Sequence, residues 1–573
     1  MSAARSPTWR VGATLACFAL VAVALCWRSV DLQVLRNAAY QDLGREAHLR
    51  TVVIPAHRGM ITDRDGEPLA ISTPVQSIWV NPKELLAEEE SQANIARLAS
   101  TLHVGEKELR SDILARSGKE FVFLKRRVSP SLSESVKALK IPGVGFQTEF
   151  RRFYPTGEVS AQLIGFTGVD DKGLEGLELK HDDSLRGVDG SKRVLLNRRR
   201  DVIRDVERIN DVREGRDLAL SIDRRVQYLA YRELKAAVQR HDAVGGAMVV
   251  LDVSSGEVLA MVNQPSYNPN EPPKRRRGQT RNRAVTDIFE PGSTVKPFTV
   301  AAALESGVAS PNRIIDTAPG YMFVGRRRIQ DVHNYGAVDL TKILQKSSNV
   351  AVAKLALEMD KRLIWEKFSG LGFGSSLHVG FPGEQSGILN HYSRWYPIDQ
   401  ASVAFGYGVA GTALQLARAY LVLADDGNLK PVSLQRVATP PPTVAVFRSD
   451  TIQRVRKMME AVVGDEGTAA GARIPGYRVA GKTGTVRKHT AAGYSDDRHI
   501  SLFAGIVPAS RPRLVAVVVI DEPKKGDYYG GLVAGPVFSS VMGGALRLLD
   551  VPPDDLVSRD VHLAAVGKTT RTQ

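Results

Sequence analysis

Glu290-Pro291-Gly292-Ser293-Thr294-Val295-Lys296 contains the only Ser-x-x-Lys in the chain. A serine hydroxyl is a weak nucleophile until a base takes its proton, and no histidine is close in sequence. Lysine can do this if burial or a neighbouring cation lowers its pKa. Bringing that pKa from ~10.4 to neutrality requires about 4 kcal/mol of environmental bias. Pro291 and Gly292 interrupt the chain, Ser293 opens an apolar helix, and the i, i+3 spacing sets Lys296 beside Ser293 on one helix face. Pro297 is tolerable there because first-turn N–H groups lack intrahelical partners. A second element is Lys346-Ser347-Ser348-Asn349. Ser-x-Asn alone is common; Ser266-Tyr267-Asn268 and Ser310-Pro311-Asn312 also match. Ser347 and Asn349 are selected by order, after the nucleophile helix and before a long apolar one. The third element is Lys482-Thr483-Gly484-Thr485. A serine–lysine nucleophile, a hydroxyl–amide pair and a lysine-bearing strand point together to acyl transfer through a serine ester.

Other patterns compete with this reading. Gly476 to Thr483 satisfies the P-loop formula, and Val517 to Glu522 resembles the strand and acid that hold magnesium, which gives a nucleotide hydrolase as the rival. A P-loop needs a strand before its first glycine and a helix from its lysine. Here Pro475 precedes Gly476, and Thr483-Gly484-Thr485-Val486 reads as strand. Gly406 to Gly411 matches the dinucleotide formula without βαβ context and reads as a turn into the helix from Ala413. The 11 histidines include no His-Glu-x-x-His, so neither metal nor cofactor is expected. The runs Arg198–Arg200, Lys274–Arg277 and Arg326–Arg328 lack interleaved aromatics; they read as solvated loops, with no nucleic acid as partner.

Positioning these residues requires a sizeable α+β domain. Arg224 to Arg240 has an amphipathic helical pattern. Ala247–Asp252 and Glu257–Val262 form one predicted hairpin, Ser501–Val507 and Leu514–Ile520 another. Helical patterns at Ser293–Ser306, Leu340–Glu358 and Ala413–Ala424 lie between them. Two hairpins enclosing helices imply an antiparallel sheet with helices on its faces. The region from the anchor to about Gly215 is mixed, with a polar helix near Ser91–Leu102 and no catalytic cluster.

The chain has 573 residues, 43% hydrophobic and 24% charged, which implies at least two globular domains. A net charge of +15 favours an anionic neighbour. The two cysteines, Cys17 and Cys26, lie in the apolar N-terminal segment, so the remainder has neither disulfide nor thiol nucleophile. Val11–Trp27 carries no charge, is long enough to cross a bilayer and is flanked by Trp9 and Trp27. Arg5 and Arg10 precede it, favouring a cytoplasmic N-terminus. A retained anchor and a cleaved signal, with Ala22-Val23-Ala24 as cleavage site, both place the remainder outside.

At these residues the chain resembles the penicillin-binding, serine–lysine acyltransferase superfamily. FEPGSTVKP (289–297), LQKSSNVAVAKLAL (344–357), FGYG (405–408) and VAGKTGTVRK (479–488) resemble the class B penicillin-binding proteins. So do Arg58 to Arg64 and RRFYP (151–155), while Tyr528 to Phe538 resembles the division-specific branch. The resemblance implies a cytoplasmic tail (1–10), a transmembrane anchor (11–28), an elongated pedestal (29–215), a transpeptidase domain (216–553) and a loose tail (554–573). It implies an inner-membrane protein with its catalytic domain in the periplasm. Its substrates would be peptidoglycan stem peptides and nascent glycan strands; its partners would be a membrane glycosyltransferase of the FtsW type and other divisome proteins. β-Lactams would bind covalently. In that frame Ser293 attacks the bond between terminal D-alanines and Lys296 takes its proton. Ser347 relays a proton to the leaving amine, Asn349 holds the donor amide, and Lys482 adds positive field. Thr483 and Thr485 bind the substrate carboxylate, Gly484 lets substrate lie on the strand, and the N–H groups of Ser293 and Thr485 form the oxyanion hole. An elongation-type transpeptidase, a D,D-carboxypeptidase, a β-lactamase and a β-lactam sensor share the same acylation chemistry.

Overall fold

The computed structural model describes residues 8–37, 49–196, 202–271, 278–490 and 493–555. The expected tails at 1–10 and 554–573 fall largely, and Arg198–Arg200 and Lys274–Arg277 wholly, outside these residues. Two compact units are present. One comprises Met1–His57, Pro74–Phe150 and Gly187–Gly215, the other Arg58–Thr73, Arg151–Arg186 and Arg216–Gln573. The path of the chain is therefore interleaved, with 58–73 and 151–186 grouped with the C-terminal part.

In the first unit Thr8–Val30 is one α-helix, longer at both ends than the uncharged core read from sequence. It is apolar and long enough to cross a membrane, and none of its span is covered by protein. Both cysteines are free and exposed along it. Leu49–Ile54, Gly190–Leu196 and Val202–Asn210 form an antiparallel sheet. A separate core packs Ile78 and Val80, alternate residues of a strand paired with Val122–Val128, against Ile95, Leu98 and Leu102 of the Ser91–Leu102 helix. That helix ends on His103 in the left-handed conformation.

The second unit is built on a five-stranded antiparallel sheet. We label its strands β1 (Gly245–Asp252), β2 (Val258–Gln264), β3 (Ala480–Thr490), β4 (Gly493–Val507) and β5 (Leu514–Asp521). Their order is β2-β1-β5-β4-β3, so the two expected hairpins adjoin through β1 and β5 and the motif strand β3 is an edge. Every residue of β1 and β2 is buried, the signature of a sheet covered on both faces. Phe503 of β4 meets Phe538 of the Gly535–Leu548 helix with ring centroids 4.8 Å apart, fixing that helix on one face. That helix is apolar enough to span a membrane but is mostly buried as a core helix. Side chains alternate across a strand, so Lys482, Gly484 and Val486 share the opposite face with Leu502 and Ile500. The Ala413–Ala424 helix is almost wholly buried and starts in a capping box between Thr412 and Gln415.

Two helical expectations need correction. Leu340–Glu358 is not continuous: Leu340–Lys346 and Asn349–Glu358 are separate helices. Ser347 adopts φ 61°, and the Ser348 hydroxyl accepts from Ala351 N–H as cap of the second helix. The polar run Lys346–Asn349 interrupts the apolar spacing at this point, and Ser348 is a capping residue type. Ser293–Ser306 likewise begins as a 3-10 turn, Gly292–Val295, before the Lys296–Glu305 helix.

Within the second unit a buried ion triad secures the early segments. Glu178 is fully buried and accepts from Arg58 Nε and Arg152 Nε, each at 2.7 Å; Arg58 also reaches Asp182 at 2.7 Å. Removing one member of such a cluster leaves uncompensated charge. Glu178→Ala is therefore expected to destabilise the protein by about 3–5 kcal/mol, read from denaturant unfolding of the full chain. A change below about 1 kcal/mol would mean that the triad behaves like a surface pair.

Candidate active site

Ser293 sits in the 3-10 turn at the mouth of the Lys296–Glu305 helix. The turn is held by Gly292 N–H to Gly406 O (3.0 Å) and closed by Thr294 N–H to Pro291 O (3.3 Å). It lies directly against β3. A methyl group on Gly484 would come within 3.1 Å of Pro291 O, and one on Gly292 within 2.5 Å of a Val486 methyl. Gly292 also has φ +52°, which glycine tolerates best. Gly484 thus has a packing reason for being glycine, apart from any space it leaves for a ligand. The edge strand and the serine turn are in contact because neither carries a side chain there.

Lys296 is fully buried. Its Nζ donates to Ser347 O at 2.5 Å, Asn349 Oδ1 at 2.7 Å and Ser347 Oγ at 3.2 Å. Burial holds its pKa well below the ordinary lysine value; the Lys482 charge lowers it further and Asp331 opposes the shift. Lys482 is also fully buried, and burial pushes its pKa down to about 7. Its Nζ donates to Thr483 O and Thr483 Oγ1 at 3.3 Å each. The structure therefore brings Lys296, Ser347, Asn349 and Lys482 into one electrostatic cluster. Among the described residues the half-buried Ser293 hydroxyl makes no side-chain hydrogen bond. Catalytic hydrogen bonds commonly tighten only when substrate is bound.

The remaining motif residues have definite partners. Asn349 Nδ2 donates to Gln330 O at 3.0 Å, so both ends of its amide are engaged. Thr485 Oγ1 accepts from Gly530 N–H at 3.0 Å, and Thr483 Oγ1 is 3.0 Å from Thr468 Oγ1. Gly530 is needed there because a methyl group would fall 2.3 Å from Gly484 O.

Two acidic residues were not singled out from sequence. Asp331 accepts from Ser348 Oγ at 2.6 Å, from Val350 N–H at 3.0 Å and from Asn349 N–H. It anchors the Ser347–Asn349 corner from 17–19 residues away, a separation with no local signature. Glu290 accepts from Gly408 N–H at 2.8 Å and Tyr494 Oη–H at 2.9 Å through Oε1. Its position three residues before Ser293 was the available clue. Its Oε2 is shielded from solvent and has no partner among the described residues.

The P-loop alternative fails here, since Lys482 lies within β3 and opens no helix. Gly406 (φ +89°) and Gly408 (φ +72°) form the turn read from sequence. Among the described residues no group of three or more His, Cys, Asp or Glu could hold a metal ion.

Residues 246–543 match the penicillin-binding protein transpeptidase domain, and residues 53–220 match the penicillin-binding protein dimerisation domain. The chain is 42% identical over 557 residues to the peptidoglycan D,D-transpeptidase FtsI of Escherichia coli K12, covering 96% of this chain and 94% of the relative. It is 41% identical over 546 residues to the probable peptidoglycan D,D-transpeptidase PenA of Neisseria meningitidis, covering 95% and 93% respectively. The transpeptidase-domain structure of penicillin-binding protein 3 from Burkholderia pseudomallei is similar at a TM-score of 0.55 and 42% identity, covering 58% of this chain and 97% of that one. With its three motifs gathered around Ser293 and these likenesses along nearly its full length, the chain belongs to the class B penicillin-binding transpeptidase family.

Proposed function

We propose that this protein cross-links peptidoglycan during cell division as a serine D,D-transpeptidase. One observation carries the reading: a fully buried lysine, shifted toward the neutral amine, lies one helical turn from Ser293 and is held by Ser347 and Asn349. Ser293 Oγ attacks the carbonyl between the terminal D-alanines as Lys296 Nζ takes the hydroxyl proton. The tetrahedral oxyanion rests on the N–H groups of Ser293 and Thr485. Ser347 passes a proton to the nitrogen of the departing D-alanine, leaving an ester on Ser293. The amine of a second stem attacks that ester, forms the cross-link and returns the proton through the same lysine. Asn349 orients Lys296 as well as meeting the donor amide. Lys482, Thr483 and Thr485 bind the donor carboxylate, and the outer edge of β3 offers peptide-pairing groups to the stem.

A hydrolase needs a water activated beside the ester. Glu290 is the carboxylate nearest Ser293 in sequence, but one oxygen is fixed by Gly408 and Tyr494 and the other is shielded from solvent. That arrangement favours an amine acceptor. The β-lactam ester should decay slowly, since unassisted water forgoes about 10²–10⁴-fold in rate. The N-terminal helix anchors the chain in the inner membrane, with a cytoplasmic N-terminus and a periplasmic active site. Residues 29–215 act as a non-catalytic pedestal that meets division partners, including a membrane glycosyltransferase of the FtsW type, and 216–553 carry out the chemistry.

The test supplies a synthetic stem pentapeptide ending in D-alanyl-D-alanine together with an amine acceptor. The expected products are free D-alanine and the new amide. Tetrapeptide without amide, at any acceptor concentration, would instead make the enzyme a carboxypeptidase.

A further inference from the structure

Trp365, His391 and Tyr392 form an aromatic cluster on the surface of the larger unit that takes no part in the chemistry above. Trp365 lies on the Lys361–Gly370 helix; His391 and Tyr392 come from the short turn that precedes the Pro397–Ala404 helix. Ring centroids are 4.8 Å apart for Trp365 and His391, 5.7 Å for Trp365 and Tyr392, and 4.3 Å for His391 and Tyr392. The indole is inclined by 65° and 57° to the other two rings, so the group forms a V rather than a flat stack. Its floor is Trp365, whose N–H is shielded from solvent and has no acceptor among the described residues. Buried donors without partners are rare in folded proteins and call for an explanation. Beside the rings, Arg362 and Glu366 form an i, i+4 pair at 2.7 Å, and the Tyr392 phenol is within Coulombic reach of Arg362.

This combination selects a class of ligand. The faces of aromatic rings match the C–H faces of pyranose rings. Planar, charged Arg and Glu groups at their edge match ring hydroxyls and the N-acetyl amide. A protein helix seeking an apolar groove would gain little from the adjacent ion pair. The basic side chains Arg362 and Arg394, both exposed, also suit a polymer that carries stem carboxylates.

We propose that this V-shaped aromatic surface is a glycan site, taking N-acetylated hexosamine units of the strand being cross-linked. The assignment rests on the transpeptidase reading for the identity of the polymer. Holding one strand on the same unit as Ser293 turns delivery of its successive stems into a local event, raising their effective concentration without a new contact at the reacting carbonyl.

The experiment uses the full chain in detergent, first acylated with benzylpenicillin so that the Ser293 site is occupied. It is then titrated with chitohexaose, the β-linked N-acetylglucosamine hexamer, and binding is followed by calorimetry and by saturation-transfer NMR. Saturable binding is expected, weakened about tenfold in His391→Ala or Arg362→Ala. Both variants replace exposed residues and should label with penicillin at the parental rate. Trp365→Phe keeps a ring in the floor and should also weaken the sugar. Failure of chitohexaose to saturate, or equal affinity across all three variants, overturns the site and leaves the patch to a protein partner. Failure of penicillin to acylate Ser293 would count against the functional reading alone, because sugar binding is read separately.

Discussion

Lys296→Met is expected to lower the rate of acylation by penicillin by about 10²–10⁴-fold, the usual contribution of a positioned general base. Methionine matches the lysine stem in size but cannot take a proton. Since burial already excludes water from Nζ, no solvent base can substitute. The pH dependence gives an independent signature. On the acid side the wild-type rate rises with pH as Lys296 loses its proton, at a pH well below that of a free lysine. On the alkaline side it falls as Lys482, with a pKa of about 7, loses the charge that draws in the substrate carboxylate. Both limbs belong to the coupled pair of lysines rather than to either one alone. Stability moves with the same groups. Lysine pKa values are depressed in the folded state, so between the folded and unfolded pKa the unfolded chain binds more protons. Stability from these groups therefore increases as pH rises through that window. Lys296→Met should flatten that slope. Stopped-flow acylation and unfolding measured across pH test both expectations; an unchanged acylation rate would remove Lys296 from the mechanism.

Asp331→Ala is expected to impair the site from outside it. The carboxylate accepts from the Ser348 hydroxyl and two backbone N–H groups at the start of the Asn349–Glu358 helix. Charge-assisted hydrogen bonds of this kind are worth about 1.5–3 kcal/mol each when made and leave orphan donors when lost. They also lie at a helix N-terminus, where a negative charge is favourable. A net loss of about 2–4 kcal/mol is expected, read from thermal unfolding. The larger effect should be on acylation, because Ser347 is held at φ 61° between two caps and releases Lys296 when that corner relaxes. Asp331→Asn keeps part of the hydrogen bonding and should fall between. A variant that loses stability but acylates at the parental rate would reduce Asp331 to a helix cap.

Much of this was legible in the residues. Continuous apolar runs bounded by turn residues gave both hairpins, and their antiparallel pairing followed from loops too short for crossovers. The serine–lysine helix, the Ser347–Asn349 element and the β3 motif were each recognisable by order. What stayed hidden depends on non-local contact. The break at Ser347 is the exception, because the polar run Lys346–Asn349 interrupts the apolar stripe and Ser348 is a capping residue type, a local signal that the reading of one long helix passes over. Asp331 acts across a long separation and resembles any loop aspartate. The interleaving of 58–73 and 151–186 with the C-terminal unit has no linker composition to betray it, yet the buried triad of Arg58, Arg152 and Glu178 depends on it. Gly484 looked like room for substrate, and the structure adds its close approach to Pro291.

The whole mechanism depends on Ser293 forming the covalent ester. The most direct measurement is intact-protein and peptide-level mass spectrometry of the full chain after incubation with benzylpenicillin, alongside Ser293→Ala. One penicilloyl group per chain is expected, carried by the peptide containing Ser293, lasting many minutes after free drug is removed, and absent from Ser293→Ala. An adduct on another residue, or one that survives in Ser293→Ala, would contradict it.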